Sequence, residues 1–179
     1  MIYTTHYRSP IGDILIASKN DKLIGLWIEN QKYYLAGLKE EITENDNIEI
    51  LNKTKNWLDR YFLNERPEIN ELELEPAGSD FRKSVWKILC KIPYGKVITY
   101  NDIAKEIARE KRIETMSAQA VGGAVSHNPI SIIIPCHRVV GSNGSLTGYA
   151  GGIEKKIKLL ELEDVDMSNL FIPKKGTAL

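Results

Sequence analysis

No stretch of about 18 apolar residues, the length a membrane-spanning helix needs, occurs in this chain of 179 residues. The opening Met1-Ile2-Tyr3-Thr4-Thr5-His6 has neither the basic nor the apolar region of a secretory signal. These two absences predict a soluble, unexported, cytoplasmic protein with no membrane partner. Only two cysteines are present, Cys90 and Cys136, too few for a disulfide scaffold and in keeping with a reducing compartment where both stay free thiols. Of the three histidines, His6 and His127 stand far apart without the spacing of a zinc site, so no metal is expected. No cofactor is expected either, because the glycine-rich Gly148-Tyr149-Ala150-Gly151-Gly152 lacks the Gly-Lys-Ser/Thr ending of a phosphate-binding loop. Internal repeats and low-complexity tracts are missing as well.

Net charge is also absent, with 24 basic residues against 24 acidic ones, which at first argues against a nucleic-acid partner. The balance is uneven along the chain. Residues 1–80 hold 9 Lys plus Arg against 15 Asp plus Glu, and residues 81–179 hold 15 against 9. Such asymmetry points to a basic binding half, here the half that carries Cys136 and His137. A phosphate-facing surface and an ordinary solvated charged face both fit the counts.

The apolar stretches Ile14–Ala17 and Leu23–Ile28, separated by the turn-forming Ser18-Lys19-Asn20-Asp21, predict β-hairpins. Leu51, Leu58, Tyr61 and Phe62 fall at helical spacing between Ile48 and Phe62. Pro76-Ala77-Gly78-Ser79 breaks the pattern and marks a domain boundary. Beyond it, Phe81, Val85, Ile88, Leu89 and Ile92 share one face of a helix ended by Pro93-Tyr94-Gly95, and Thr99 caps a short helix that buries Ile103 and Ile107. After the charged segment Arg109–Glu114, Ser117 caps a helix of small residues from Ala118 to about Val125. Gly122 and Gly123 within it each cost up to about 1 kcal/mol against alanine, so something must approach closely: the rest of the domain, or a partner. Two helices so joined form a helix-turn-helix, whose slim second helix suits a groove. Asn143-Gly144 signals a hairpin tip, and a final helix runs from Ile153 to about Glu163. The fold class is therefore α/β of the α+β kind. Residues 1–78 form a small domain with an antiparallel sheet and a helix, and residues 79–179 a mostly helical domain.

The most informative segment is Ile134-Pro135-Cys136-His137-Arg138-Val139-Val140. The run Ile130-Ser131-Ile132-Ile133-Ile134 reads as a buried strand that ends where the cysteine begins, since Pro135 cannot donate to a ladder. Free cysteine ionises near pH 8.5, and nearby His or Arg charge lowers that value and enriches the thiolate. His137 is the candidate base, although neighbours on an extended chain point to opposite sides. Cys90, on an apolar helix, reads as packing.

Pro135-Cys136-His137-Arg138-Val139, preceded by Asn128-Pro129 and followed by Gly148–Gly152, resembles the O6-alkylguanine-DNA alkyltransferases over residues Phe81 to Glu163. The amino-terminal half matches only in plan, including the Ser9-Pro10-Ile11-Gly12 turn. The resemblance implies an irreversible, single-turnover transfer of the alkyl group from O6-alkylguanine, or O4-alkylthymine, in double-stranded DNA to Cys136, by a monomer without cofactor or metal. It implies that His137 acts through a bound water and is oriented by Glu163, that Tyr100 hydrogen-bonds the flipped base and helps neutralise the leaving purine, and that Asn128 braces the turn before the active-site segment. Read without the resemblance, Tyr100 is a partly buried aromatic and Asn128 an ordinary Asn-Pro turn residue. DNA and base contacts are implied at Ser117, Gln119, Ala120, Gly123, Arg138, Val139 and Ala150.

The chain departs from the family pattern in three places. Gln119 stands where many relatives place an arginine that fills the vacated base stack, and Ala150 replaces a common serine. An insertion before Gln119 carries Arg109, Lys111 and Arg112, which read as phosphate contacts or as a mobile charged loop. A Cys-His hydrolase would want its histidine elsewhere in the chain. A non-reactive reader of alkylated DNA would lack the cysteine, and a purely regulatory helix-turn-helix protein would leave the motif around it unexplained.

Overall fold

The computed structural model describes residues 1–174. The chain divides into two compact units, Met1–Gly78 with Pro129–Ile133, and Ser79–Asn128 with the chain from Ile134 onward. The expected division into 1–78 and 79–179 did not foresee that the second unit is discontinuous. Among the described residues, no helix is long and apolar enough to cross a membrane.

The first unit is built on a four-stranded sheet of β1 (Ile2–Ser9), β2 (Gly12–Lys19), β3 (Lys22–Ile28) and β4 (Ile42–Glu44), in the order β3-β2-β1-β4. Pairing is antiparallel except between β1 and β4. Ser9-Pro10-Ile11-Gly12 and Lys19-Asn20-Asp21-Lys22 are the two hairpin turns. Asn20 and Asp21 both take positive φ, the conformation that matches a two-residue turn to the twist of its strands. Trp27 folds back over Gly25, where a Cβ would lie 1.9 Å from the indole ring. Helix α1 (Glu49–Phe62) buries Ile50, Leu51, Thr54, Trp57, Leu58 and Tyr61, the apolar stripe its sequence period requires.

The free edge of β3 is covered by two short segments, through single parallel bridges Leu23↔Leu74 and Leu26↔Ile130. This corrects the strand expected over 130–134. Leu26 N donates to Pro129 O at 2.8 Å and Ser131 N to Leu26 O at 3.0 Å, after which the ladder stops. Ile132 takes φ 71°, and Ile133 N donates back to Ser131 O at 2.8 Å, closing a three-residue turn of the rarer hand. The five residues are all buried, which is why their composition looks like a strand; periodicity does not separate a buried turn from a buried strand.

In the second unit, helices α2 (Asp80–Leu89), α3 (Tyr100–Lys111), α4 (Ala118–Ser126) and α5 (Ile153–Leu162) are joined by a two-stranded parallel ladder of β5 (Ile98–Thr99) and β6 (Val139–Val140). Caps set three of the helix starts. Ser79 Oγ accepts from Arg82 N, Thr99 and Asp102 form a reciprocal capping box, and Ser117 Oγ accepts from Ala120 N. Trp86 Nε1 donates to Ala124 O at 2.9 Å, tying α2 to α4. The helix after Thr99 is longer than expected. It runs to Lys111 and ends on Arg112 in the left-handed conformation, so Arg109 and Lys111 are helical rather than part of a loop. Asn143-Gly144 does sit in a tight turn, closed by Gly141 N on Ser145 O at 2.8 Å, but no hairpin follows. Ser145 bridges to Phe171 and β6 pairs with β5.

Candidate active site

The approach to Cys136 is a pair of tight turns rather than a strand end. Ile134 O accepts from Asn128 Nδ2 at 2.8 Å and from Cys136 N at 2.8 Å. Pro135, at φ −82° and ψ 65°, sits at the centre of the second turn. A 3-10 turn, Cys136–Arg138, follows at once. Its tighter winding removes the alternation of an extended chain, which would have set Cys136 and His137 on opposite sides.

The thiol is 4 % exposed, and burial pushes its pKa up. A hydrogen bond from the Asn128 side chain, the charge of Lys156 and the N–H groups of Cys136 and His137 favour the thiolate but do not offset burial. This corrects the expected depression by neighbouring His and Arg charge: the resting group is a thiol, and the cationic help comes from Lys156.

The Arg138 charge lies on Glu163 instead. Its Nε donates to Glu163 Oε2 at 2.8 Å and its Nη2 to Oε1 at 2.9 Å, while Nη1 donates to Ile92 O at 2.7 Å. At 7 % exposure this guanidinium is turned inward, away from the DNA-contacting place expected for it. Glu163, the C-cap residue of α5, also meets His137 Nε2 at 2.7 Å. Burial alone would raise the Glu163 carboxyl, but the hydrogen bonds from His137 and Arg138 and the Arg138 charge outweigh it and hold the group well below the usual carboxylate range. Burial lowers the His137 pKa, with Glu163 opposing and Arg138 and Lys156 assisting. Burial therefore favours the neutral imidazole. A carboxylate at Nε2 fixes the proton there, so Nδ1 carries the lone pair, and it is buried without a protein partner.

Tyr100, the first residue of α3, is buried and donates its hydroxyl to Thr147 O at 2.9 Å. Burial, then the proximity of Cys136, raises its pKa. Three residues of this cluster carried no signal in the sequence. Lys156 is wholly buried and donates from Nζ to Thr147 O at 2.9 Å and to Val139 O. Burial lowers its pKa to about 8, although Cys136 favours the charged form. Thr147 offers the carbonyl that Tyr100 and Lys156 share. Tyr149 buries a hydroxyl with no partner, close enough to Cys136 and Glu163 to feel their charge. Lysine and tyrosine are ordinarily surface or half-buried residues, so only tertiary burial reveals them. Gly148 and Gly152 bracket this stretch at φ 75° and 94°, and Ala150 between them is half-buried.

The helix-turn-helix face is formed by α3 and α4. Ser117, Gln119 and Ala120 are exposed at the start of α4. Gly123 is half-buried, yet a Cβ built on it would meet nothing within 4 Å, so packing within the unit does not demand glycine there. Of the three cations in the insertion, Arg109 pairs with Glu106 and Lys111 sits 5.0 Å over the Phe81 ring. Among the described residues, no group of His, Cys, Asp and Glu could hold a metal ion.

Residues 2–76 match the family model of the 6-O-methylguanine DNA methyltransferase ribonuclease-like domain, and residues 80–165 that of its DNA binding domain. The chain is 37% identical over 164 residues to a methylated-DNA–protein-cysteine methyltransferase of Haemophilus influenzae, covering 92% of this chain and 87% of that protein. To one of Methanosarcina acetivorans it is 41% identical, covering 90% and 98%. Among solved structures it resembles Mycobacterium tuberculosis OGT in complex with DNA, with a TM-score of 0.78, 39% identity and coverage of 91% and 92%. The chain belongs to the 6-O-methylguanine DNA methyltransferase family.

Proposed function

We propose that this protein repairs DNA by taking the alkyl group of O6-alkylguanine onto Cys136 in one irreversible turnover. The carrying observation is the buried series Cys136, His137, Glu163, a nucleophile, base and orienter in order. His137 Nδ1 accepts the thiol proton, directly or through a water. Sulfur attacks the alkyl carbon, the C–O6 bond breaks, and the purine leaves with the electron pair. Tyr100 donates a proton to the purine, and the proton that His137 took from the thiol replaces it on Tyr100, so charge balances. The thioether formed is beyond reduction by ordinary thiols, and the protein acts once. The lesion reaches the thiol only out of the stack, at a cost of a few kcal/mol. The segment between Gly148 and Gly152 opens to admit it. There the unpartnered Tyr149 hydroxyl gains a partner, relieving about 1–3 kcal/mol of desolvation. A role in DNA repair supports the reading of a cytoplasmic protein.

Incubation with an oligonucleotide carrying O6-methylguanine, followed by peptide mass spectrometry, is expected to give one equivalent of methyl on the Cys136 peptide and none in Cys136→Ala. An unmodified peptide with intact lesion rejects the reading.

The basic half supplies the DNA-facing surface, with α4 in the groove, Ser117, Gln119 and Ala120 at its start, and Gly123 allowing the close approach. Gly123→Ala separates groove entry from internal packing. Helix propensity predicts a gain of up to about 1 kcal/mol in stability, while the added methyl weakens duplex binding several-fold. A thermal melt and a binding titration at fixed salt read both. A variant that melts higher and binds duplex unchanged removes Gly123 from the interface.

A further inference from the structure

The His137–Glu163 pair contains a difficulty that the pair alone does not resolve. A carboxylate 2.7 Å from a buried imidazole favours the imidazolium, and an imidazolium has no lone pair with which to take a thiol's proton. Arg138 answers it. Its Nε and Nη2 engage both oxygens of Glu163, Nη1 is pinned on Ile92 O, and the Tyr94 ring lies 5.7 Å from the guanidinium carbon. Such a two-point clamp supplies a fixed positive charge.

We propose that Arg138 is a positioning residue for alkyl transfer: by neutralising Glu163 it lets that carboxylate orient the His137 ring without charging it, and so leaves Nδ1 free to accept a proton. The inference rests on the reading of His137 as the base. The titratable and charged groups that face His137 are Glu163, Arg138 and Lys156, with the Cys136 thiol beside it. Burial lowers the pKa of the ring, Glu163 raises it, and Arg138 and Lys156 act against Glu163. Nδ1, the nitrogen left to accept the proton, is buried without a protein partner. This role replaces the DNA contact expected of Arg138, whose three donor nitrogens are used inside the unit.

The test is the protonation state of His137, followed by nitrogen NMR across a pH titration of the full chain, together with the pH dependence of single-turnover methyl transfer. In the wild type His137 should be neutral at pH 7 with its proton on Nε2. Arg138→Met should shift its titration upward by a unit or more, so that transfer at acidic pH slows about tenfold. Arg138→Met with Glu163→Gln should return the titration downward, because the uncompensated anion is gone while an acceptor for Nε2 is kept. A merely structural role for Arg138 would lower stability without moving the titration. The proposal is overturned by an imidazolium in the wild type at pH 7, by a folded Arg138→Met variant with an unmoved titration, or by a double variant that fails to reverse the shift. Should Arg138→Met not fold, the wild-type spectrum alone decides. The NMR readout needs no substrate, so a failure of alkyl transfer itself would be seen separately.

Discussion

Replacing Glu163 with alanine is expected to destabilise the protein by about 3–5 kcal/mol, because it leaves the Arg138 guanidinium buried without its counter-ion. For a chain of this size that lowers the melting temperature by roughly 6–20 °C. Glu163 is 1 % exposed and holds both His137 and Arg138, so neither partner reaches water when it is removed. Methyl transfer should fall about a hundredfold in the protein that remains folded, since His137 loses the acceptor that fixes its proton on Nε2. The pH dependence of stability carries the same signature. The Glu163 carboxyl is depressed in the folded state, so its contribution is present above its unfolded value of about 4.3 and is lost as pH falls through the folded one. The His137 pKa is depressed as well, so folding disfavours its charged form and stability is lost as pH falls below about 6.5. Stability should decline steadily from mildly acidic pH downward, and Glu163→Gln should remove the lower part of that decline. Denaturant unfolding at several pH values measures it; an alanine variant within 1 kcal/mol of the wild type would show that the cluster is not closed to water.

These residues were unequally visible in the chain. Glu163, read alone, is an ordinary charged residue near a helix end, and only the family pattern singled it out. The helix starts at Thr99 and Ser117 were legible because a cap is a local event, one side-chain oxygen satisfying an amide three residues on. The hairpin at Asn20-Asp21 was legible for a similar reason. The segment 130–134 was not, because its β-branched residues record burial, and burial does not dictate extended backbone. Ile132 takes a positive φ that composition argues against; hydrogen bonds to Leu26, about a hundred positions away, fix the backbone beside it. Arg138 was misread for a related reason. The resemblance implies a DNA contact there, and the carboxylate that holds the guanidinium lies 25 residues later in the chain. What the sequence conceals here are interactions between residues distant along the chain, and in this site those set the protonation states.

Lys156 is the clearest such case, and Lys156→Met should slow methyl transfer at pH 7 by tenfold or more. The ammonium is completely buried, and it favours the charged form of Cys136. Methionine fills a similar volume without charge, so the thiolate loses that support while the surrounding packing stays. The cost to stability should be modest. Exchanging a buried ion for an apolar side chain of like size is often close to neutral. Thr147 O keeps the Tyr100 hydroxyl at 2.9 Å, and the carbonyl of Val139 left without its lysine accounts for about 1–3 kcal/mol. The decisive feature is the pH profile. Burial brings the Lys156 pKa down to about 8, so in the wild type the cation is withdrawn over the same range in which rising pH would otherwise supply more thiolate. The two trends oppose, and the wild-type rate should level off near pH 8. The methionine variant has no cation to lose, so its rate should begin lower and continue to climb. Stopped-time assays with methylated oligonucleotide from pH 6.5 to 9.5 in matched ionic strength distinguish the curves. A folded variant with wild-type rate and the same levelling would mean that the charge on Lys156 serves only to hold the carbonyls of Val139 and Thr147 in place.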